Sequence, residues 1–263
     1  MILRRLGNKK KIAAEIIQHF PDHKIYIEPF FGAGGMFFNK PKAKYNIVND
    51  LDSDVFNLFQ VIMNRKEELE QAFFIMPIHS DLLDYWKKNK ETDPIRKALR
   101  FLFLSNLTVL GKMDTLRYSP RDDSKGQFNK YIDDTFNFLY GVKFNNSDFR
   151  KFLKNINFID VDYGKPSGER NNTFIYNDSP YLETVNTYSD SGIWTESDLI
   201  DLFDANEQTG CKYAMPEFDH PFILNQAKER GLNVITIGER QNLKNRRTEI
   251  LVTNYKNIQQ ELF

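Results

Sequence analysis

Two short segments hold residues whose types and spacing suit chemistry on a nitrogenous base. The first is Asn177-Asp178-Ser179-Pro180-Tyr181. Asp178 and the Ser179 carbonyl can both accept hydrogen bonds from an exocyclic amino group, and Tyr181 offers a face on which a base can stack. Pro180 stiffens the turn between them. Those bonds would hold an amine with its lone pair toward an electrophile. An Asx-Pro turn followed by a core tyrosine accounts for the same residues with no ligand at all. The second segment is Glu28-Pro29-Phe30-Phe31-Gly32-Ala33-Gly34-Gly35. Its glycines let the backbone approach a ligand closely and adopt positive φ. The spacing breaks the G-x-G-x-x-G of a dinucleotide site, and Gly35-Met36-Phe37 lacks the Lys-Ser/Thr of a phosphate loop. The loop fits a nucleoside held without reliance on phosphate, or a plain tight turn from strand to helix. Asp50, in Asn49-Asp50-Leu51-Asp52, can accept both ribose hydroxyls. Asp52 or Ser53 suits a helix cap instead.

These segments need a frame that sets them side by side. Lys24–Glu28 and Tyr45–Asn49 read as strands, and so do Ile156–Asp160, Thr173–Asn177, Lys212–Met215, Asn233–Ile237 and Glu249–Asn254. Apolar residues at helical spacing predict helices over Asn8–Phe20, Ser53–Met63, Glu67–Ile75, Asp81–Asn89 and Pro94–Val109, and again over Asp148–Asn155, Glu196–Asn206 and Pro221–Arg230. The polar stretch 112–130 reads as a β-hairpin or an ordered loop. The alternation predicts an α/β, doubly wound sheet of about seven strands, its last pair antiparallel because only Gly238–Thr248 separates them. Residues 1–60 and 147–263 would build that sheet, and 61–146 would be an inserted, mainly helical module.

Composition narrows the class. With 41% hydrophobic and 27% charged residues among 263, the chain is neither disordered nor fibrous. No apolar run approaches the ~18 residues of a membrane span, and the basic N-terminus has no apolar stretch behind it, so secretion is not expected. The single cysteine, Cys211, can build neither an internal disulfide nor a zinc site, and His19, His23, His79 and His220 show no ligand spacing. A cytoplasmic location and no metal are expected. Lysine plus arginine equals aspartate plus glutamate at 36 each. A nucleic-acid partner would therefore have to be met by local placement of charge.

Together the motifs resemble those of S-adenosylmethionine-dependent amino methyltransferases acting on DNA, and more narrowly the Dam-like (D12 class) N6-adenine methyltransferase family. Phe30, Gly32 and Gly34 match the F-x-G-x-G cofactor loop, and Asp178–Tyr181 resembles D-P-P-Y with Ser179 in place of the first proline. Leu6-Gly7-Asn8-Lys9 resembles the Gly-Gly-Lys element. Glu249-Ile250-Leu251-Val252-Thr253-Asn254-Tyr255 resembles the closing E-x-L-x-x-N-Y strand. The likeness runs from residue 6 to residue 255.

The resemblance implies a Rossmann-like catalytic domain with an inserted target-recognition module. It implies methyl transfer from S-adenosylmethionine to N6 of a flipped-out adenine in double-stranded DNA. It assigns Phe30, Gly32 and Gly34 to the cofactor pocket with Glu28 nearby, Asp50 to the ribose, Lys9 to the methionine end of the cofactor or the DNA, and Asp162 and Tyr163 to its adenine, with Asp160 a rival. Asp178, Ser179, Pro180 and Tyr181 would hold the target base. Arg117, Tyr118, Arg121, Lys125, Gln127 and Asn129 would meet DNA, Arg117 as a base reader. Arg240, Lys244, Arg246 and Arg247 form a second basic cluster suited to phosphate or to a solvated turn. A monomer is expected, with a cognate restriction endonuclease as a partner that is not stably bound. The alternatives are a methyltransferase of RNA adenine, cytosine N4 or a protein glutamine amide, and a catalytically weak DNA-binding relative, which Ser179 motivates.

Overall fold

The computed structural model describes residues 2–3, 9, 12–109, 115–117, 124–158, 161–162, 165–166, 168–182, 193–241 and 246–256. They fall into two compact units. One comprises Met1–Lys11, Gly32–Phe38 and Asp52–Val142, the other Ile12–Phe31, Asn39–Leu51 and Lys143–Phe263.

The second unit is built on one sheet. Its strands are β1 (Ile25–Glu28), β2 (Tyr45–Asn49), β3 (Lys143–Asn145), β6 (Thr173–Tyr176), β7 (Lys212–Phe218), β8 (Asn233–Gln241) and β9 (Arg246–Thr253), in the spatial order β3-β2-β1-β6-β7-β9-β8. β3, β2, β1, β6 and β7 are mutually parallel, and β9 runs antiparallel to both β7 and β8. A separate two-stranded ladder joins β4 (Val161–Asp162) to β5 (Lys165–Pro166). The central strands are largely buried because both faces are covered: β6 is buried at all four positions. On one face Ile27, Ile175, Tyr213 and Met215 pack with α7 (Phe149–Lys154), α8 (Glu196–Thr209) and α9 (Pro221–Glu229). On the other, Phe20, which follows α1 (Ala13–Ile17), packs its ring against Phe174 at 4.6 Å and Tyr176 at 5.3 Å. Thr195 and Asp198 form a capping box that starts α8, and Gly210 ends it at φ 67°.

The first unit is helical among its described residues: α2 (Ser53–Asn64), α3 (Lys66–Ile75), α4 (Ser80–Lys88), α5 (Pro94–Asn106) and α6 (Ser124–Leu139). Pro94 occupies the first turn of α5, where its missing N–H costs nothing. No helix among the described residues is long and apolar enough to cross a membrane.

Three expectations are corrected. Residues 156–158 join no strand; Ile156 and Phe158 instead pack their partly buried side chains against the sheet's core. The seventh strand of the sheet is β3, a three-residue edge strand beside β2. The end of the stretch 112–130 is neither hairpin nor loop but the start of α6, whose Phe128, Ile132, Thr135 and Leu139 are buried at helical spacing. Phe128 stacks on Phe73 with ring centroids 3.8 Å apart.

Candidate functional site

Strand order reverses between β1 and β6: from β1 the chain winds outward to β2 and β3, from β6 to β7. In an open parallel sheet the crevice beyond the carboxyl ends at such a reversal receives ligands. The ladder pairs Ile25 with Thr173 and Ile27 with Ile175. β1 and β6 therefore end side by side, and Glu28 and Asn177-Asp178 share one rim.

Glu28 is buried and accepts a 2.8 Å hydrogen bond from the Tyr26 hydroxyl. The two sit at positions i and i+2 of β1 and so share a face. Lys40 lies over the Tyr26 ring, its Nζ 4.0 Å from the centroid, and donates to the Pro41 carbonyl at 2.7 Å. Burial pushes the Glu28 carboxyl well above the usual range; the Tyr26 bond opposes this, and the neighbouring Asp178 adds to it. Burial drives Lys40 down to about 8 against the pull of Glu28.

Asn49, at the end of β2, is a buried clamp. Its Nδ2 donates to the carbonyls of Pro29 and Ser147, both at 2.9 Å, and its Oδ1 accepts from Asn145 Nδ2 at 2.8 Å and from the Ser147 amide at 3.1 Å. Its own carbonyl accepts the Phe31 amide at 2.9 Å. One side chain thus ties the loop after β1 to the ends of β2 and β3. Asp50 follows, partly exposed, its carbonyl held by Asn146 Nδ2 at 2.7 Å. Asp52 caps α2 through the Asp54 amide, so Asp50 is not the cap. The Phe30 ring leans on Phe149 at 5.3 Å and meets Trp194 edge-on at 5.8 Å. Gly32 and Gly34 both have positive φ, 52° and 69°. Nothing crowds a Cβ at Gly32, so it is the backbone conformation that requires glycine there. Lys9 is buried.

After β6, the Asn177 amide donates to the Ala214 carbonyl at 2.9 Å and its Nδ2 to Asn206 Oδ1 at 3.0 Å, which fixes where the loop leaves the sheet. Asp178 and Pro180 are partly exposed, while Ser179 and Tyr181 are buried. The Tyr181 hydroxyl donates to Glu249 Oε1 at 2.5 Å, and its ring meets Phe218 edge-on at 4.6 Å. Burial, then the charges of Glu249 and Asp178, push this phenol well above its ordinary range, so it stays a donor. Three buried atoms around Asp178 have no hydrogen-bond partner among the described residues: the Tyr176 hydroxyl, Asn177 Oδ1 and Ser179 Oγ. Each such atom costs about 1–3 kcal/mol, a cost that sites for polar ligands characteristically bear. A carboxylate beside a backbone carbonyl on a stiffened turn can hold an amino group by both of its hydrogens.

In the helical unit, Thr108 and Leu116 form an antiparallel bridge, and the Arg117 amide donates to the Leu107 carbonyl at 2.8 Å. Arg117 is partly buried. Gln127 and Asn129 lie on α6, as does the backbone of Lys125. Tyr118, Arg121, Asp160, Tyr163 and Lys244, and the side chains of Lys125, Asp162, Arg240 and Arg246, lie outside the described residues. On the β8–β9 arm Arg240 stands across from Arg247, and the exposed Arg247 guanidinium lies 5.3 Å from the centre of the Phe218 ring.

Tyr26, Lys40, Asn49 and Glu249 escape the sequence reading as site residues. Only Tyr26 leaves a local signal, its spacing from Glu28. The closing segment's other roles are structural: Asn254 bonds the Tyr213 amide and the Cys211 carbonyl, each at 2.8 Å, and pins β9 to β7. A groove of about 500 Å³ lined by Arg150, Lys154, Phe158, Arg170, Asp201 and Thr209 lies away from this rim. Arg170 and Thr209 precede β6 and β7 and so mark the opposite end of the sheet. Its charges are paired internally, Arg150 with Asp148, Asp198 and Asp201.

A family model described as D12 class N6 adenine-specific DNA methyltransferase matches residues 6–259. The DNA adenine methylase of Escherichia coli (strain K12) is 30% identical over 135 residues, covering 49% of this chain and 47% of that protein. That of Haemophilus influenzae is 29% identical over 137 residues, covering 49% and 46%. The chain thus spans about half the length of these curated relatives. A type II methyltransferase of Lactococcus lactis subsp. cremoris is 23% identical over 277 residues, covering 95% of this chain and 94% of that protein.

Proposed function

The chain belongs to the D12 class of N6 adenine-specific DNA methyltransferases, and from that premise we propose that it transfers a methyl group from S-adenosylmethionine to N6 of an adenine flipped out of double-stranded DNA. The observation that carries this reading is the position of Asp178–Tyr181 at the carboxyl end of β6, beside the end of β1 where the strand order reverses.

The residues present fit the cofactor. The partly exposed Asp50 at the end of β2 suits the ribose hydroxyls. Gly32 and Gly34 take positive φ in the loop after β1, and the chain neighbours of Asp178 carry buried polar atoms with no partner among the described residues. Phe30 would pack beside the cofactor with Glu28 behind it, Asp162 and Tyr163 would meet its adenine, and Lys9 would serve its methionine end or the DNA. The sulfonium supplies an already activated methyl group, so the protein's task is positioning. Adenine N6 is a weak nucleophile because its lone pair is shared with the ring. Hydrogen bonds from N6 to the Asp178 carboxylate and the Ser179 carbonyl draw the amine toward a pyramidal geometry. The proton that N6 sheds leaves by way of Asp178. Serine at 179 keeps the carbonyl that this step uses. Extrusion of the base costs a few kcal/mol, and stacking on Tyr181 returns ~1–3 kcal/mol of it.

We assign sequence reading to the module within 61–146, with Arg117 on a base and Tyr118, Arg121, Lys125 and Asn129 along the duplex. The protein would act as a cytoplasmic monomer, with a restriction endonuclease of the same specificity as a functional partner that is not stably bound. Incubation with tritium-labelled S-adenosylmethionine and mixed-sequence DNA tests the assignment. Label in N6-methyladenine is expected. Label confined to RNA, cytosine or protein would overturn it, and binding of both ligands with no transfer would make the chain a DNA-binding relative.

A further inference from the structure

We propose that Glu249 is a positioning residue for the methylation step, acting through the Tyr181 hydroxyl. The proposal rests on the function assigned above. Tyr181 comes directly after the residues that hold the target amine, so the attitude of its ring and the placement of the Asp178 and Ser179 acceptors are coupled. Two contacts hold that ring. Its hydroxyl reaches Glu249 Oε1, 68 residues further along the chain, at 2.5 Å, a distance typical of a hydroxyl bonded to a carboxylate. Its ring packs against Phe218 at an interplanar angle of 89°. Both partners belong to the sheet: β9 pairs Glu249 with Phe218 of β7, so hydroxyl and ring are anchored at one register position. Glu249 is buried and meets the phenol at its hydroxyl. A tyrosine ring has two torsions, and a bond at its hydroxyl together with packing of its ring against Phe218 restrains both.

The test is a cycle of three variants, Glu249→Gln, Tyr181→Phe and the pair together, read by single-turnover methyl transfer on DNA that the wild-type chain methylates. Cofactor affinity and thermal unfolding are measured alongside. Glu249→Gln keeps the volume and an acceptor oxygen, and should slow transfer about tenfold with cofactor affinity unchanged, in line with the sensitivity of positioned reactions to small displacements. Tyr181→Phe should lose at least as much, and the double variant should be no slower than Tyr181→Phe alone. A residue that merely stabilises the fold would lower the unfolding temperature and leave the single-turnover rate of the folded protein unchanged. That result, or losses that multiply in the double variant, would overturn the role of Glu249 while leaving the function standing. A wild-type chain that labels no DNA would overturn both.

Discussion

Asp178 and Glu28 present the same functional group on neighbouring strand ends, yet their surroundings divide the work. Asp178 is partly exposed on the turn after β6. Glu28 is sealed beneath, and burial disfavours its charged form. Asp178→Ala should therefore abolish transfer, by at least a thousandfold on the scale of a lost preorganised acceptor, while calorimetric titration still detects the cofactor. Retained turnover would remove Asp178 from the chemistry. For Glu28 the prediction concerns stability. Its native carboxyl holds a proton above the pH at which the unfolded chain has released it, so the native state binds more protons in that interval. Stability must then fall as pH rises from the ordinary glutamate range toward the elevated native value, by up to about 1.4 kcal/mol per pH unit for one proton. Tyr26, Lys40, Asp178 and Asp50 share its environment and shape the curve. Glu28→Gln lacks the slope, so its urea midpoint should rise relative to wild type as pH climbs above the ordinary glutamate range. Parallel curves would show that Glu28 does not titrate differently on folding.

At the level of the element, the loops that do chemistry are held by side chains from other strands, and Asn49 is the clearest of these. Its replacement by alanine would strand the carbonyls of Pro29 and Ser147 and the Ser147 amide. Buried unpaired groups of this kind should cost about 2–4 kcal/mol together and weaken cofactor binding roughly tenfold by loosening the loop after β1. Urea unfolding and cofactor titration check both effects, and a loss below about 1 kcal/mol would mean that the loop holds itself. The same residue shows what a sequence conceals. β1, β2 and β6 are legible because alternating or continuous apolar runs end at Glu28, Asn49 and Asn177 with turn residues behind them. β3 is not, because Lys143-Phe144-Asn145 is too short to carry a period; it is a strand through its ladder with β2 and the Asn145–Asn49 bond. Ile156 and Phe158 supply a strand-like pattern that the chain spends on covering the core instead. α6 begins in polar residues, and its apolar spacing emerges only when followed to Leu139. Residues that touch a ligand sit in the motifs themselves. Residues that hold them, such as Lys40 and Glu249, take their meaning from sheet order, which no local pattern encodes.

Across the whole molecule, equal numbers of acidic and basic residues give no net attraction to a polyanion, so the duplex binding proposed above would have to come from a few placed cations. Arg247 and Arg117 are expected to differ in what they contribute. Arg247 is exposed beside the ring of Phe218, whose other contact is Tyr181, and across the ladder it faces Arg240. Neutralising one phosphate contributes about −0.9 to the slope of log K against log salt. Arg247→Ala should therefore make the slope shallower by about one and weaken all DNA sequences alike. Arg117, partly buried at the base of the Thr108–Leu116 bridge, is the candidate reader. Arg117→Ala should erode preference for the target site by about 1–3 kcal/mol at one base pair and leave the slope nearly unchanged. Binding isotherms on target and scrambled duplexes at several salt concentrations separate the two effects. If both variants move the slope and neither moves the preference, base recognition belongs to other residues of the 61–146 module, and Arg117 is a backbone contact.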